Sequence, residues 1–138
     1  MPEHEDSVGF VSYEEAVKSL LLQDKYNQLM VDSYLDSEPA KAARRYEHSE
    51  EFEEIKCILK KRGFNSGVVL DLGAGNGVLS YALAQSGYEV KALEPGDGAI
   101  SGRGAIQSIQ NKTGVFFDVI SGWGEDIPLK DESVNIVV

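Results

Sequence analysis

Cysteine is almost absent from this 138-residue chain, and so are tryptophan, histidine and methionine, with one Cys, one Trp, two His and two Met. A lone thiol, Cys57, cannot close an internal bridge, which excludes a disulfide scaffold and points to a reducing compartment. His4 and His48 have no cysteine or carboxylate at metal-ligand spacing, so no metal site is expected, and both histidines and Cys57 read as surface or structural residues. No apolar run approaches the roughly 18 residues of a membrane span, and the opening MPEHEDS lacks the basic and then apolar segments of a signal peptide. The expectation is a cytoplasmic protein with no membrane span. Cations are scarce too: 13 Lys and Arg against 23 Asp and Glu leave a net charge of −10. A surface of that sign repels phosphate backbones, which argues against a nucleic-acid partner.

What the chain does have is an ordinary globular balance, 42% hydrophobic and 26% charged, in a length that suits one domain of roughly 100–200 residues. The acidity is uneven. Residues 1–54 hold 14 acids and 5 bases, a net of −9, whereas residues 55–138 hold 9 and 8, a net of −1. The pattern changes near the same place. Residues 1–62 read as an acidic helical cap. Ser12 and Glu15 have capping-box spacing and open a helix expected from about Tyr13 to Tyr34, with Val17, Leu20, Leu21, Tyr26 and Leu29 among its apolar positions. Asp36-Ser37-Glu38-Pro39 breaks it, because proline lacks a backbone donor and disfavours the α region before it. After a second helical stretch, a third is capped by Ser49, with Phe52, Ile55, Ile58 and Leu59 on one face, Lys60 to Arg62 at its negative end and Gly63 as its stop.

Residues 63–138 alternate strands and helices. Strands are expected at Val68–Leu72, Glu89–Glu94, Val115–Ile120 and Val134–Val138, and helices at Val78–Gln85 and Ala99–Ile109. That rhythm implies βαβ units, right-handed crossovers and an α/β fold with a parallel sheet covered by helices on both faces.

The segment Val69-Leu70-Asp71-Leu72-Gly73-Ala74-Gly75-Asn76-Gly77 lies between a strand and a helix. Glycines there let a backbone turn tightly and approach a ligand, and the helix that follows offers free N–H groups. A tight turn with no ligand is the plain alternative. A dinucleotide fingerprint aligned on Gly73 and Gly75 would need glycine where Val78 stands, and Asp71 at the strand end would repel a pyrophosphate, so a cationic or phosphate-free ligand suits the turn better. Glu94 ends the second strand and can accept hydrogen bonds from both hydroxyls of a ribose.

Together these residues resemble the class I S-adenosylmethionine-dependent methyltransferases of Rossmann-like fold, in the small-molecule branch typified by ubiquinone- and menaquinone-biosynthesis enzymes. Asp71 to Gly77 is similar to that family's D-x-G-x-G-x-G motif, Glu94 to its ribose-binding acid, and Gly122-Trp123-Gly124-Glu125-Asp126-Ile127-Pro128-Leu129 with Lys130 to Val138 to its G-D-A-E-x-L-P-F stretch and the strand after it. The resemblance implies S-adenosyl-L-methionine as cofactor, held by Asp71, Gly73, Ala74, Gly75, Asn76, Gly77 and Glu94, with Trp123, Gly124 and Glu125 near its adenine. It also implies a small-molecule methyl acceptor. Two positions depart from the pattern: the adenine-binding aspartate falls on Trp123, and the strand-four aspartate on Asn135. No catalytic residue is identifiable, and Tyr26, Tyr34 and Tyr46 are candidates for acceptor contact. A cofactor-binding or partner-binding relative without catalysis remains open, as does a nicotinamide-dependent oxidoreductase, which Val78 and Asp71 disfavour. The expected organisation is a cap over 1–62 and the cofactor-binding half of a methyltransferase domain over 63–138. This half is apparently truncated at its fourth strand, whose free edge could pair with a second copy.

Overall fold

The computed structural model describes residues 11–138, so His4 lies outside the described part. Six helices and four strands alternate as α1 (Tyr13–Leu21), α2 (Asp24–Asp32), α3 (Pro39–Glu47), α4 (Glu50–Lys61), β1 (Val68–Leu72), α5 (Val78–Gln85), β2 (Glu89–Leu93), α6 (Arg103–Thr113), β3 (Asp118–Ile120) and β4 (Ile136–Val137). The strands form one parallel sheet in the order β3-β2-β1-β4, the parallel α/β arrangement expected from the βαβ rhythm and Rossmann-like as the family resemblance implies. No helix among the described residues is long and apolar enough to cross a membrane.

The register explains the core. Val69 pairs with Val90 on one side and Ile136 on the other. These three therefore share a sheet face, and Phe52 and Leu59 of α4 pack over it with Ala82 and Leu83 of α5. The small side chains of Ala42 and Ala43 in α3 are fully buried, and Ala43 packs with Tyr81 of α5 and Ile109 of α6. Local signals set the helix ends. Ser12 and Glu15 form the expected reciprocal capping box, and Ser49 accepts from the Phe52 N–H. Gly63 N–H to Lys60 O and Phe64 N–H to Leu59 O close α4.

Several boundaries differ from the sequence reading, each for a physical reason. The long first helix is two helices, because Gln23 is extended (φ −95°, ψ 116°) and side-chain amides take over the helix-end carbonyls: Gln23 donates to Ser19 O at 3.2 Å and Asn27 to Leu21 O at 2.7 Å. One straight helix is thus replaced by a corner at Leu22. The helix expected at Ala99–Ile109 runs instead over Arg103–Thr113, because the glycines before it pack backbone against backbone: a Cβ on Gly102 would lie 2.5 Å from the Gly98 nitrogen. Val115 and Phe117, expected in the third strand, turn inward under α6, which leaves β3 three residues long. In the fourth strand Asn135 spends its side chain on the sheet, its Oδ1 accepting the Val68 N–H at 2.9 Å, and regular pairing covers Ile136–Val137.

Candidate functional site

The carboxyl ends of β1 and β2 meet at one turn. Leu93 O, at the end of β2, accepts the N–H groups of Gly73 (2.9 Å) and Ala74 (3.0 Å), which seats the start of the glycine loop on the neighbouring strand. Gly73 and Gly75 have φ of 73° and 58°, where a side chain would be strained, and a Cβ at either would meet nothing within 4 Å. Both face open space. Gly77 differs: φ is 82°, and a Cβ there would lie 2.7 Å from Ile106 of α6. Gly77 is thus a packing residue that lets α5 and α6 approach.

Asp71 sits at the end of β1, only 4% exposed, and its Oδ2 accepts the hydroxyl of buried Ser80 at 2.6 Å. Burial pushes its carboxyl above the ordinary aspartate value; the Ser80 hydrogen bond pulls it back in part, and the charge of Glu94 raises it further. Glu94, one residue past β2, accepts from Gly75 N–H (2.9 Å) with one oxygen and from Gly96 N–H (2.8 Å) with the other. Each oxygen keeps a second lone-pair site for a further donor. Arg103 fixes the same corner, its Nη1 donating to Glu94 O (2.7 Å) and Pro95 O (2.6 Å).

Two cavities flank this turn. The first, about 410 Å³, is lined by Asp71 and Gly73 together with Tyr34, Tyr46, Asp32 and Glu51 from the helical region. Burial and the charge of Glu51 raise the Tyr46 phenol far above its usual value, which keeps it neutral and able to donate. Asn76 ties the loop to this region through its Nδ2, which donates to Tyr34 O at 2.5 Å. Tyr34 itself stands edge-on to Tyr46, ring centroids 5.1 Å apart. The second cavity, about 560 Å³, is lined by Glu94, Gly96 and Ser101, by Tyr13 and Glu14 of α1, and by Trp123.

The structure thus brings Asp71, Gly73, Ala74, Gly75 and Glu94 together. Trp123 reaches the second cavity while 67% exposed, and Gly124 packs on Leu72. Glu125 is exposed and borders neither cavity. Asn135 lies level with Val68, at the opposite end of the strands from the glycine turn. Tyr26 borders neither cavity, whereas Tyr34 and Tyr46 do. Sequence reasoning missed Ser80, Glu14, Ser101 and Arg103. Only Ser80 carried a signal, a hydroxyl between apolar positions of its helix; the contacts of Glu14 span 86 and 87 residues.

Residues 70–138 match the family model described as a methyltransferase domain. No curated protein matches the sequence significantly. Among solved structures, a candidate RNA methyltransferase from Pyrococcus horikoshii is 29% identical with a TM-score of 0.47, over 61% of this chain and 41% of that one. A candidate methyltransferase from an antibiotic biosynthesis pathway of Anabaena variabilis is 27% identical with a TM-score of 0.47, over 62% and 32%. A 1,6-didemethyltoxoflavin-N1-methyltransferase from Burkholderia thailandensis, solved with 1,6-didemethyltoxoflavin and S-adenosylhomocysteine, is 17% identical with a TM-score of 0.45, over 94% and 54%. The chain therefore spans about a third to a half of these proteins.

Proposed function

Because the chain belongs to the methyltransferase-domain family, we propose that it serves S-adenosyl-L-methionine-dependent methyl transfer to a small-molecule acceptor, with residues 63–138 as the cofactor-binding half and residues 1–62 as a cap. The observation that carries this reading is the open glycine turn between two cavities, with one carboxylate on each side of it. The cofactor would supply an electrophilic methyl group on a sulfonium. Asp71 and the Gly73-Ala74-Gly75 backbone would hold its methionine part, with the Asp71 carboxylate drawn to its positive charge. Glu94, already oriented by two backbone donors, would accept from the ribose hydroxyls. Trp123, which lines the second cavity, would lie toward the adenine, with Gly124 behind it on Leu72; Glu125, outside both cavities, would take no part. Asn76 and Gly77 act one step removed, holding the loop to Tyr34 and α5 to α6.

Transfer from a sulfonium asks the protein chiefly to align reactants and exclude water, an effect that reaches about 7–11 kcal/mol in well-oriented cases. The first cavity is within the usual size of a small-molecule pocket, and its three carboxylates disfavour a phosphate backbone, which supports a small acceptor. Calorimetric titration with S-adenosylhomocysteine and NAD tests the reading. Binding of the former, lost in Asp71→Ala and Glu94→Ala variants that keep their circular dichroism, is the expected result. Binding of NAD alone would overturn it.

A further inference from the structure

The second cavity contains a feature that cofactor binding does not require. The loop between β2 and α6 points three donors at one place: the N–H groups of Ile100 and Ser101 and the Ser101 hydroxyl. Such convergent donors form an anion-binding nest. Its occupant is part of the chain. Glu14 Oε1 takes the Ile100 N–H at 2.8 Å, and its Oε2 takes the Ser101 N–H at 2.9 Å and the Ser101 hydroxyl. A Cβ on Gly98 would collide with the same carboxylate, so the loop is shaped around it. Lys18, one helical turn on, brings its ammonium 3.8 Å from Glu14 Oε1, while Glu94 and Asp97 are the anions lining the same cavity. Glu14 is the second residue of α1, so the contact also holds that helix as one wall of the cavity.

We propose that Glu14 is a specificity-determining residue: its carboxylate fills the nest, fastens α1 over the second cavity, and shuts out adenosine derivatives that carry a phosphate on the ribose side. The inference rests on the reading of this cavity as the nucleoside site. A phosphate would need the donors Glu14 already holds, and would stand against three carboxylates. Removal of Glu14 leaves an empty nest with Lys18 beside it, which is a site for a tetrahedral oxyanion.

The test uses the whole chain, Glu14→Ala and, as a shorter polar residue compatible with a helix start, Glu14→Ser. Amide resonances of Ile100 and Ser101 are followed during titration with inorganic phosphate. Both variants should show a saturable shift, on the order of millimolar in phosphate, while the wild type shows none. A folded variant that ignores phosphate, or a wild type that responds equally, would overturn the proposal. S-adenosylhomocysteine affinity, measured on the same samples, should fall about tenfold if the fastened position of α1 drops to about a tenth of its population. Unchanged affinity would refute the role of Glu14 in the wall. The wild type should also prefer adenosine over adenosine 2′-phosphate and 3′-phosphate at least tenfold, and equal binding contradicts exclusion. A wild type blind to S-adenosylhomocysteine would refute the methyltransferase reading instead, and the phosphate titration would still decide the nest.

Discussion

The two cavities are each organised around a carboxylate, and the two carboxylates are held in opposite ways. Asp71 is almost completely buried and has one side-chain donor, Ser80. Glu14 has three donors and a nearby ammonium. Burial raises both, but at Glu14 the Ser101 hydroxyl, the two backbone N–H groups and Lys18 outweigh it and bring the carboxyl below the ordinary glutamate value, whereas at Asp71 the side-chain and backbone hydrogen bonds of Ser80 do not outweigh burial and the charge of Glu94. The balance of donors against burial decides the sign: Asp71 is the deeper of the two and has the fewer donors. A buried acid left short of donors costs stability at neutral pH, and such a group is characteristic of a binding site waiting for a cation. A saturated acid is a fastening.

The largest effect that would break this comparison comes from the scaffold that holds both cavities. Gly77→Ala should lose about 3 kcal/mol in urea denaturation, from left-handed strain and the clash with Ile106. Gly73→Ala should lose only about 1 kcal/mol from strain, because its Cβ meets nothing, yet should weaken S-adenosylhomocysteine more than Gly77→Ala does in whatever fraction stays folded. Equal stability of the two variants would show that the loop glycines are interchangeable.

Next in size is Asp71→Asn, which should abolish cofactor binding and raise stability by about 1 kcal/mol, or roughly 3–5 °C in melting temperature. A fall in melting temperature would mean that the Asp71 charge stabilises the fold.

The two acids also predict opposite responses to pH. The stabilising contribution of Glu14 is complete above the ordinary glutamate value and disappears as pH falls through its lowered value. Asp71, with a raised value, opposes the fold when ionised, and this penalty fades as pH falls through that value. Acid should therefore release α1 before it disturbs the sheet. Trp123, the one tryptophan and a lining residue of the second cavity, reports on this: its emission should change on acidification of the wild type and stay flat in Glu14→Ala over the same range. The smallest effect is Tyr46→Phe, which removes a 3.2 Å hydrogen bond to Glu51 and should cost about 0.5–1 kcal/mol in thermal melts.

What the sequence makes legible follows the range of each interaction. Ser12 with Glu15 and Ser49 with Phe52 act over three residues, and a reader of the sequence can place both helix starts from them. The glycine turn, Asp71 and Glu94 are legible because the chemistry of a strand-to-helix turn restricts which residues fit there. The corner at Leu22 has no proline or glycine to announce it, and only amide side chains reaching back over four and six residues create it. Glu14, one of several acids in an acidic segment, reads as solvated surface until the fold brings the 98–101 loop to it. Gly77 reads as part of the ligand loop, and only the arrival of Ile106 from α6 shows what it is for.

The strand order has a consequence for the sequence of events in folding. β1 meets β2 across 21 residues, from Val68 to Glu89, but meets β4 across 67, from Val69 to Ile136. Closing the longer loop costs about 1 kcal/mol more chain entropy than closing the shorter. The β1-α5-β2 unit, which already contains Asp71, the glycine turn and the Leu93 carbonyl that seats it, therefore has the kinetic advantage, and β4 docks onto an edge formed before it. The glycine turn is thus expected to take shape before the Val68–Asn135 clasp at the opposite end of the strands.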